Sequence, residues 1–252
     1  YKVEADKHLT IISYRRRNNR IKGFLIHYPC HANLSNGNQV HPDYPGIVLR
    51  MLDDSYKGSI SLFLQGCTAD LRPNCVLGER FVAYDYEYVK LFAQDFLRSC
   101  IRTIESEGIL VDGEIEISQG VYKIPLNQEL LLNDLNEKSK TEEAAAQWVV
   151  KVTEKSQRPY EEVEISKLRF GSKLTIFTFN AEVSQYYAKF ARTIDPSAIC
   201  ACYINGMIGY LCTADQIKEG GYEPIGSALY FALAGTYKEE IEETIHQLME
   251  RL

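Results

Sequence analysis

The sequence predicts an α/β protein built on a mixed β-sheet with flanking helices, a single catalytic-type domain spanning residues 1–252. Three observations carry that expectation. Strand-like runs of β-branched and aromatic residues interleave with amphipathic helical runs. Several strand pairs are joined by hairpin turns rather than crossovers, which excludes a purely parallel, doubly wound sheet. No repeat, linker or low-complexity tract divides the chain.

The elements follow in order. Leu9 to Tyr14 and Ile21 to His27 flank a polar tip at Arg15, Arg16, Arg17, Asn18 and Asn19, and read as a hairpin. Pro45 to Met51 has a proline start and apolar periodicity, which suits a short helix. Ser59 to Gln65 reads as a strand ending at Gly66. From Arg80 to Glu105, apolar residues at Phe81, Val89, Phe92, Phe96, Cys100 and Ile104 recur near the 3.6 period of a long amphipathic helix. Gly113 to Pro125 alternates as a strand. Asn127 to Lys155 lacks Gly and Pro and reads as helical, broken near Ser139 to Thr141. Glu161 to Phe170 and Lys173 to Phe179 are strands joined by a Gly171-Ser172 turn. A helix from Glu182 to Arg192, a buried strand from Ala198 to Tyr203, and one or two helices from Ile225 to Leu252 complete the chain.

Composition narrows the function classes. The 252 residues are 45% hydrophobic and 25% charged, ordinary globular values. A net charge of −6 argues against nucleic acid as a partner, since phosphate backbones need a basic surface. No apolar run is long enough for an integral membrane helix, and no signal peptide opens the chain. The seven cysteines, Cys30, Cys67, Cys75, Cys100, Cys200, Cys202 and Cys212, contain no CxxC pair. Their scatter points to reduced, buried thiols and a cytoplasmic setting.

Four blocks concentrate the chemistry-bearing side chains. The first holds His27, Cys30 and His31, then Asn38, His41, Asp43 and the Pro45-Gly46 turn. His27 and His31 stand four apart, the spacing of zinc ligands on a helix. Pro29 between them and the absence of Glu after His27 rule that motif out. In extended chain the two would lie about 13 Å apart, too far for one metal. The second block runs from Phe63 to Asn74, a strand opening into a loop with Asp70 and Arg72, where α/β proteins bind ligands. The third is Glu182 after a strand; the fourth runs from Asn205 through Tyr210 to Tyr222 and Glu223. Taken singly, each residue also has a structural explanation, as a core histidine, a loop brace or a packing tyrosine.

Taken together, Cys30-His31, Asn38, Asp43 to Gly46, Phe63 to Gly66, Asp70, Pro73, Glu182, Asn205-Gly206, Gly209-Tyr210 and Gly220 to Glu223 resemble the neutral/alkaline non-lysosomal ceramidase family in its broad bacterial branch. The match spans about residues 9 to 250. The resemblance implies a hydrolase with one zinc ion, whose ligands here would be His31, Glu182 and Tyr210. Tyr222 and Asp70 would be catalytic, Tyr222 donating a hydrogen bond to an oxyanion. Arg72, Asn38 and Asn205 would bind a small-molecule substrate. Water activated by zinc would attack an amide or related acyl bond.

Departures from the pattern shape that expectation. The family's first histidine motif has no counterpart here, so a further His ligand is expected from an N-terminal portion absent from this sequence, and any metal would be weakly held without it. Arg72 stands where the family has Ser, Ala69 replaces Gly, Ala32 replaces Pro, and Asn180-Ala181 replaces Pro-Gly. The family's separate C-terminal domain has no counterpart either. A guanidinium in place of a hydroxyl favours an anionic or polar substrate over ceramide. The alternatives are a non-catalytic ligand-binding homologue that kept the fold, and a cysteine hydrolase built on Cys30 or Cys67.

Overall fold

The computed structural model describes residues 4–35, 37–78, 80–128, 137, 139–141, 143–155 and 158–252. Its contacts divide the chain into two compact units, Tyr1–Leu110 and Val111–Leu252. Sheets of mixed direction with flanking helices, the expected class, make up both.

In the first unit, β1 (Thr10–Arg15) and β2 (Ile21–Tyr28) form the expected antiparallel hairpin, Thr10 opposite His27. β3 (Leu62–Gln65) lies parallel to β2, Tyr28 opposite Gln65. α1 (Asp43–Ser55) connects them and is longer than the sequence suggested. The strand expected from Ser59 starts only at Leu62. Ser59 and Ser61 turn their hydroxyls to Asp53 Oδ1, at 2.8 and 2.7 Å. The helix expected from Arg80 begins at Tyr86: Arg80–Phe81 is a short strand, β5, paired with β4 (Val76–Leu77). Asp85 then caps α2 (Tyr86–Glu105), its carboxylate accepting from Tyr88 N at 2.9 Å. One apolar core joins Phe24 and Ile26 of β2, Tyr44, Val48 and Leu52 of α1, and Val89, Ala93, Phe96 and Cys100 of α2. Each large side chain there contributes about 1.5–3 kcal/mol relative to exposure.

In the second unit, the long strands β6 (Ile115–Asn127) and β7 (Tyr160–Phe170) pair antiparallel, and β8 (Leu174–Phe179) returns beside β7. β10 (Ala198–Ala201) adds in parallel to β8 after a crossover through α4 (Gln185–Ile194). β12 (Thr236–Tyr237) touches β6 only at Leu126 and Asn127. α3 covers Glu143–Lys155; residues 129–136, 138 and 142 of the helix expected from Asn127 lie outside the described residues. Asn127 itself ends β6. The final helix, α7 (Ile241–Arg251), buries Ile241, Ile245, Leu248 and Met249 and packs on β7 and α4. The short helices α5 (Ala214–Glu219) and α6 (Ser227–Tyr230) precede it.

Glu182 was expected to open a helix. Instead Glu182–Val183 is a short strand, β9, and the helix begins at Gln185 behind Ser184, whose hydroxyl accepts from Tyr186 N at 3.4 Å. β9 pairs in parallel with β11 (Tyr210–Leu211). All seven cysteines are buried and none forms a disulfide. Among the described residues no helix is long and apolar enough to cross a membrane.

Candidate functional site

In the first unit, the strand ends of β2 and β3 bring together the first two sequence blocks. Gly66 N donates to Tyr28 O at 3.1 Å, and a Cβ at Gly66 would sit 2.9 Å from both His27 Nε2 and Pro29 Cα. Only glycine permits this approach, which accounts for its place in the Phe63 to Gly66 run. His31 N donates to Leu71 O at 3.2 Å, tying the histidine to the loop that carries Asp70 and Arg72. Gln65 Nε2 donates to Tyr28 O and Cys30 O at 3.2 and 3.1 Å, and Tyr44 OH donates to Cys30 O at 2.7 Å.

His31 is half-buried. Burial holds its imidazole below the usual histidine value, the Arg72 guanidinium adds to that, and Asp43 opposes both. With its amide oxygen turned toward Arg72, Asn33 accepts from both Nε and Nη2 at 3.1 Å. Arg72 is therefore positioned by a neighbour that the sequence reading did not single out. Asp70 and Asn38 are both exposed on loops. His27 is buried on β2, and His41 Nδ1 accepts from Asp43 N at 3.0 Å, structural roles for both. Burial pushes the Cys30 thiol up to about 12, which disfavours its thiolate, and Cys67 is fully buried.

In the second unit, the chain leaves β8 at Phe179 and is laced to the loop that follows β10. Ile204 N donates to Phe179 O at 2.9 Å, Tyr203 N to Ala181 O at 3.1 Å and Ile208 N to Asn180 O at 3.0 Å. The β9–β11 pairing then sets Glu182 directly opposite Tyr210. Gly209 makes this possible, because its φ is +101° and a Cβ would meet Leu233 Cδ1 at 3.1 Å. Glu182 is 4% exposed and accepts hydrogen bonds from the Tyr203 and Tyr210 hydroxyls. Tyr222 hydrogen-bonds Tyr210 in turn, the two rings edge to face at 5.9 Å.

The electrostatics follow from burial. Burial raises the Glu182 carboxyl above its ordinary value; the two phenols oppose that shift and Glu223 adds to it. Tyr210 is raised by burial and by the Glu182 charge, and Tyr222 by burial, Tyr230, Glu182 and Glu223. At neutral pH the Tyr210 and Tyr222 phenols are therefore hydrogen-bond donors. Asn205 Nδ2 donates to Glu164 Oε1 at 2.5 Å. Tyr203 was missed in the sequence, although it follows the carboxyl end of the parallel strand β10, where α/β proteins place ligand groups.

This fold is similar to that of neutral ceramidase. The crystal structure of neutral ceramidase from Pseudomonas aeruginosa superposes with a TM-score of 0.68 at 13% identity, over 96% of this chain and 45% of that one. A ceramidase complexed with C2 gives 0.67 at 12% identity, over 96% and 46%. The chain thus spans less than half the length of the structures it matches. No protein-family model and no curated protein matches the sequence.

Zinc sites are built from four ligands, mostly imidazole nitrogen, thiolate and carboxylate. Among the described residues no group of three or more His, Cys, Asp or Glu could hold a metal ion. Glu182 and its phenols offer oxygen donors alone, so they do not by themselves fit a zinc ion.

Proposed function

We propose that this protein is a hydrolase that cleaves an amide or related acyl bond in a polar small-molecule substrate rather than in ceramide. The observation that carries the reading is the hydrogen-bonded chain from buried Glu182 through Tyr210 to half-exposed Tyr222, which joins two separate sequence blocks. The likeness of fold to neutral ceramidase supports it.

Glu182 is the general base. Its raised carboxyl takes a proton from the attacking water more readily than an exposed carboxylate would, and returns it to the leaving amine or alcohol. Tyr203 and Tyr210 fix the orientation of the carboxyl. Tyr222, half-exposed and protonated, donates to the oxyanion that forms as the carbonyl becomes tetrahedral.

Zinc dependence is a separate form of the hydrolase reading and rests on the resemblance alone, which names His31, Glu182 and Tyr210 as ligands; there Glu182 would hold the metal instead of acting as the base. A reducing, cytoplasmic setting is proposed on the seven buried cysteines, none of them in a disulfide.

A panel of N-acyl amides and esters, assayed with and without added zinc, tests the reading. Glu182→Gln is expected to lower kcat by about 10²–10⁴-fold and Tyr222→Phe by about 10²–10³-fold. Metal analysis of the wild-type, His31→Ala and Glu182→Gln proteins tests the zinc assignment separately. A wild-type protein that binds members of the panel but turns over none would leave the non-catalytic homologue as the correct reading.

A further inference from the structure

The free edge of β6 is the feature of the second unit that neither its core nor the proposed chemistry uses. β7 occupies one edge of β6 along its length, Ile115 opposite Phe170 through Pro125 opposite Tyr160. On the other edge β12 reaches only Leu126 and Asn127, and no other described strand pairs there. Backbone phase can be read from the ends of the ladder. Gly171 N donates to Glu114 O and Leu126 N to Pro159 O, so even-numbered positions turn their backbone groups toward β7. In an antiparallel ladder the alternate positions face outward. The N–H and C=O groups of Ile115, Ile117, Gln119, Val121 and Lys123 therefore point to the free edge.

The same odd-numbered residues share one face of the sheet, and that face is exposed. Ile115, Ile117 and Val121 are 60%, 68% and 55% exposed, whereas Ile124 on the other face is buried and Ser118 Oγ there donates to Leu252 O. A long edge strand with outward donors, outward acceptors and β-branched residues beside them is a template for another strand.

We propose that the template is taken by a second copy of this chain, β6 pairing antiparallel with β6 about a two-fold axis at Gln119. An axis normal to the sheet joins outward-facing positions to outward-facing positions and keeps exposed face with exposed face. Centred on Gln119, it sets Ile117 opposite Val121 of the second copy and Ile115 opposite Lys123, each pair exchanging both backbone bonds. Glu116 meets Tyr122, so no like charges stand opposite one another.

Neighbouring registers are poorer. Centring on Gly120 sets Ile117 against Lys123 and Ile115 against Pro125, which has no N–H. Centring on Ser118 carries the pairing beyond the strand, setting Lys123 against Gly113. Gln119 is the centre that matches the longest outward ladder to the apolar residues.

Light scattering and sedimentation of the protein at several concentrations test this. The wild type should be a dimer. Ile117→Lys with Val121→Lys sets lysine against lysine and should weaken association by about tenfold or more. Ile117→Lys with Val121→Glu sets lysine against glutamate of the second copy and should restore it. Both positions of change lie on the exposed face, and far-UV circular dichroism checks that each variant is folded. A wild type that is monomeric throughout overturns the proposal, whether or not the β6 amides are protected from exchange by some other segment. So does a dimer that survives the double-lysine change, or a lysine–glutamate variant no stronger than the double-lysine one.

Discussion

Replacing Asp43 by alanine should remove the brace that shapes the turn between His31 and α1. Asp43 is 5% exposed and sits at φ +50°, where non-glycine residues other than Asp and Asn are strained. Its Oδ2 accepts from Leu34 N at 3.0 Å and Ser35 N at 3.2 Å, and its Oδ1 from Tyr44 N at 2.7 Å. Hydrogen bonds to a charged group contribute about 1.5–3 kcal/mol each, and a buried donor left alone costs about 1–3 kcal/mol. Left-handed backbone adds about 1 kcal/mol for alanine. Water reaches the half-buried Ser35 amide and recovers part of its bond, so the expected loss is about 4–6 kcal/mol. Asparagine keeps one oxygen for Leu34 and Ser35 and tolerates the backbone, but turns an NH₂ toward Tyr44 N; it should cost about 1–3 kcal/mol. Urea unfolding followed by far-UV circular dichroism gives the totals. Amide exchange at Leu34, Ser35 and Tyr44 assigns the loss to the first unit rather than to the whole chain. An alanine variant within about 1 kcal/mol of wild type, with those amides still protected, would refute the reasoning.

Two further outcomes follow from the buried titrating groups in metal-free protein. Burial raises the Glu182 carboxyl in the folded state, so its contribution to stability is present below the unfolded value and is lost as pH rises through the folded one. Relative to Glu182→Gln, the wild type should lose stability on going from about pH 4 to pH 8; a constant gap in denaturant midpoint would contradict burial as the dominant cause. Arg72→Leu should raise the His31 imidazole without bringing it to the ordinary histidine value, because burial remains the larger cause. An NMR titration of the His31 ring that shows no upward movement would remove Arg72 from the account of this site.

The hydrolase reading and the self-pairing edge are independent. The first concerns Glu182 and its phenols; the second concerns the exposed face of β6. A monomer with amidase activity would uphold the first and overturn the second, and an inactive dimer would do the reverse.

What the sequence determined by itself was the alternation of strand and helix and the sides that face inward. Phe24 and Ile26 fall in the core, as do Val89, Phe96 and Cys100, because periodicity and apolar burial are local properties written in successive residues. The hairpins at Asn18-Asn19 and Gly171-Ser172 were legible for the same reason, whereas Pro45-Gly46, read as a turn, lies in the first turns of α1. Boundaries were less legible. The helical period runs back to Arg80 in the sequence, yet Asp85 caps α2, and β5 depends on a partner strand that no local pattern announces.

Tertiary structure alone decided what Glu182 is. Its neighbours in sequence read as a helix start, but its amide donates to Gly209 O and its strand pairs with Tyr210. It also decided that Tyr203 joins the carboxyl, that Asn33 holds Arg72, and that Asn205 engages Glu164. The physical reason is range. A motif can place a carboxylate or a phenol in the right order along the chain, but a raised carboxyl needs burial and partners supplied by residues far away in sequence. Those come into being only when the sheets close.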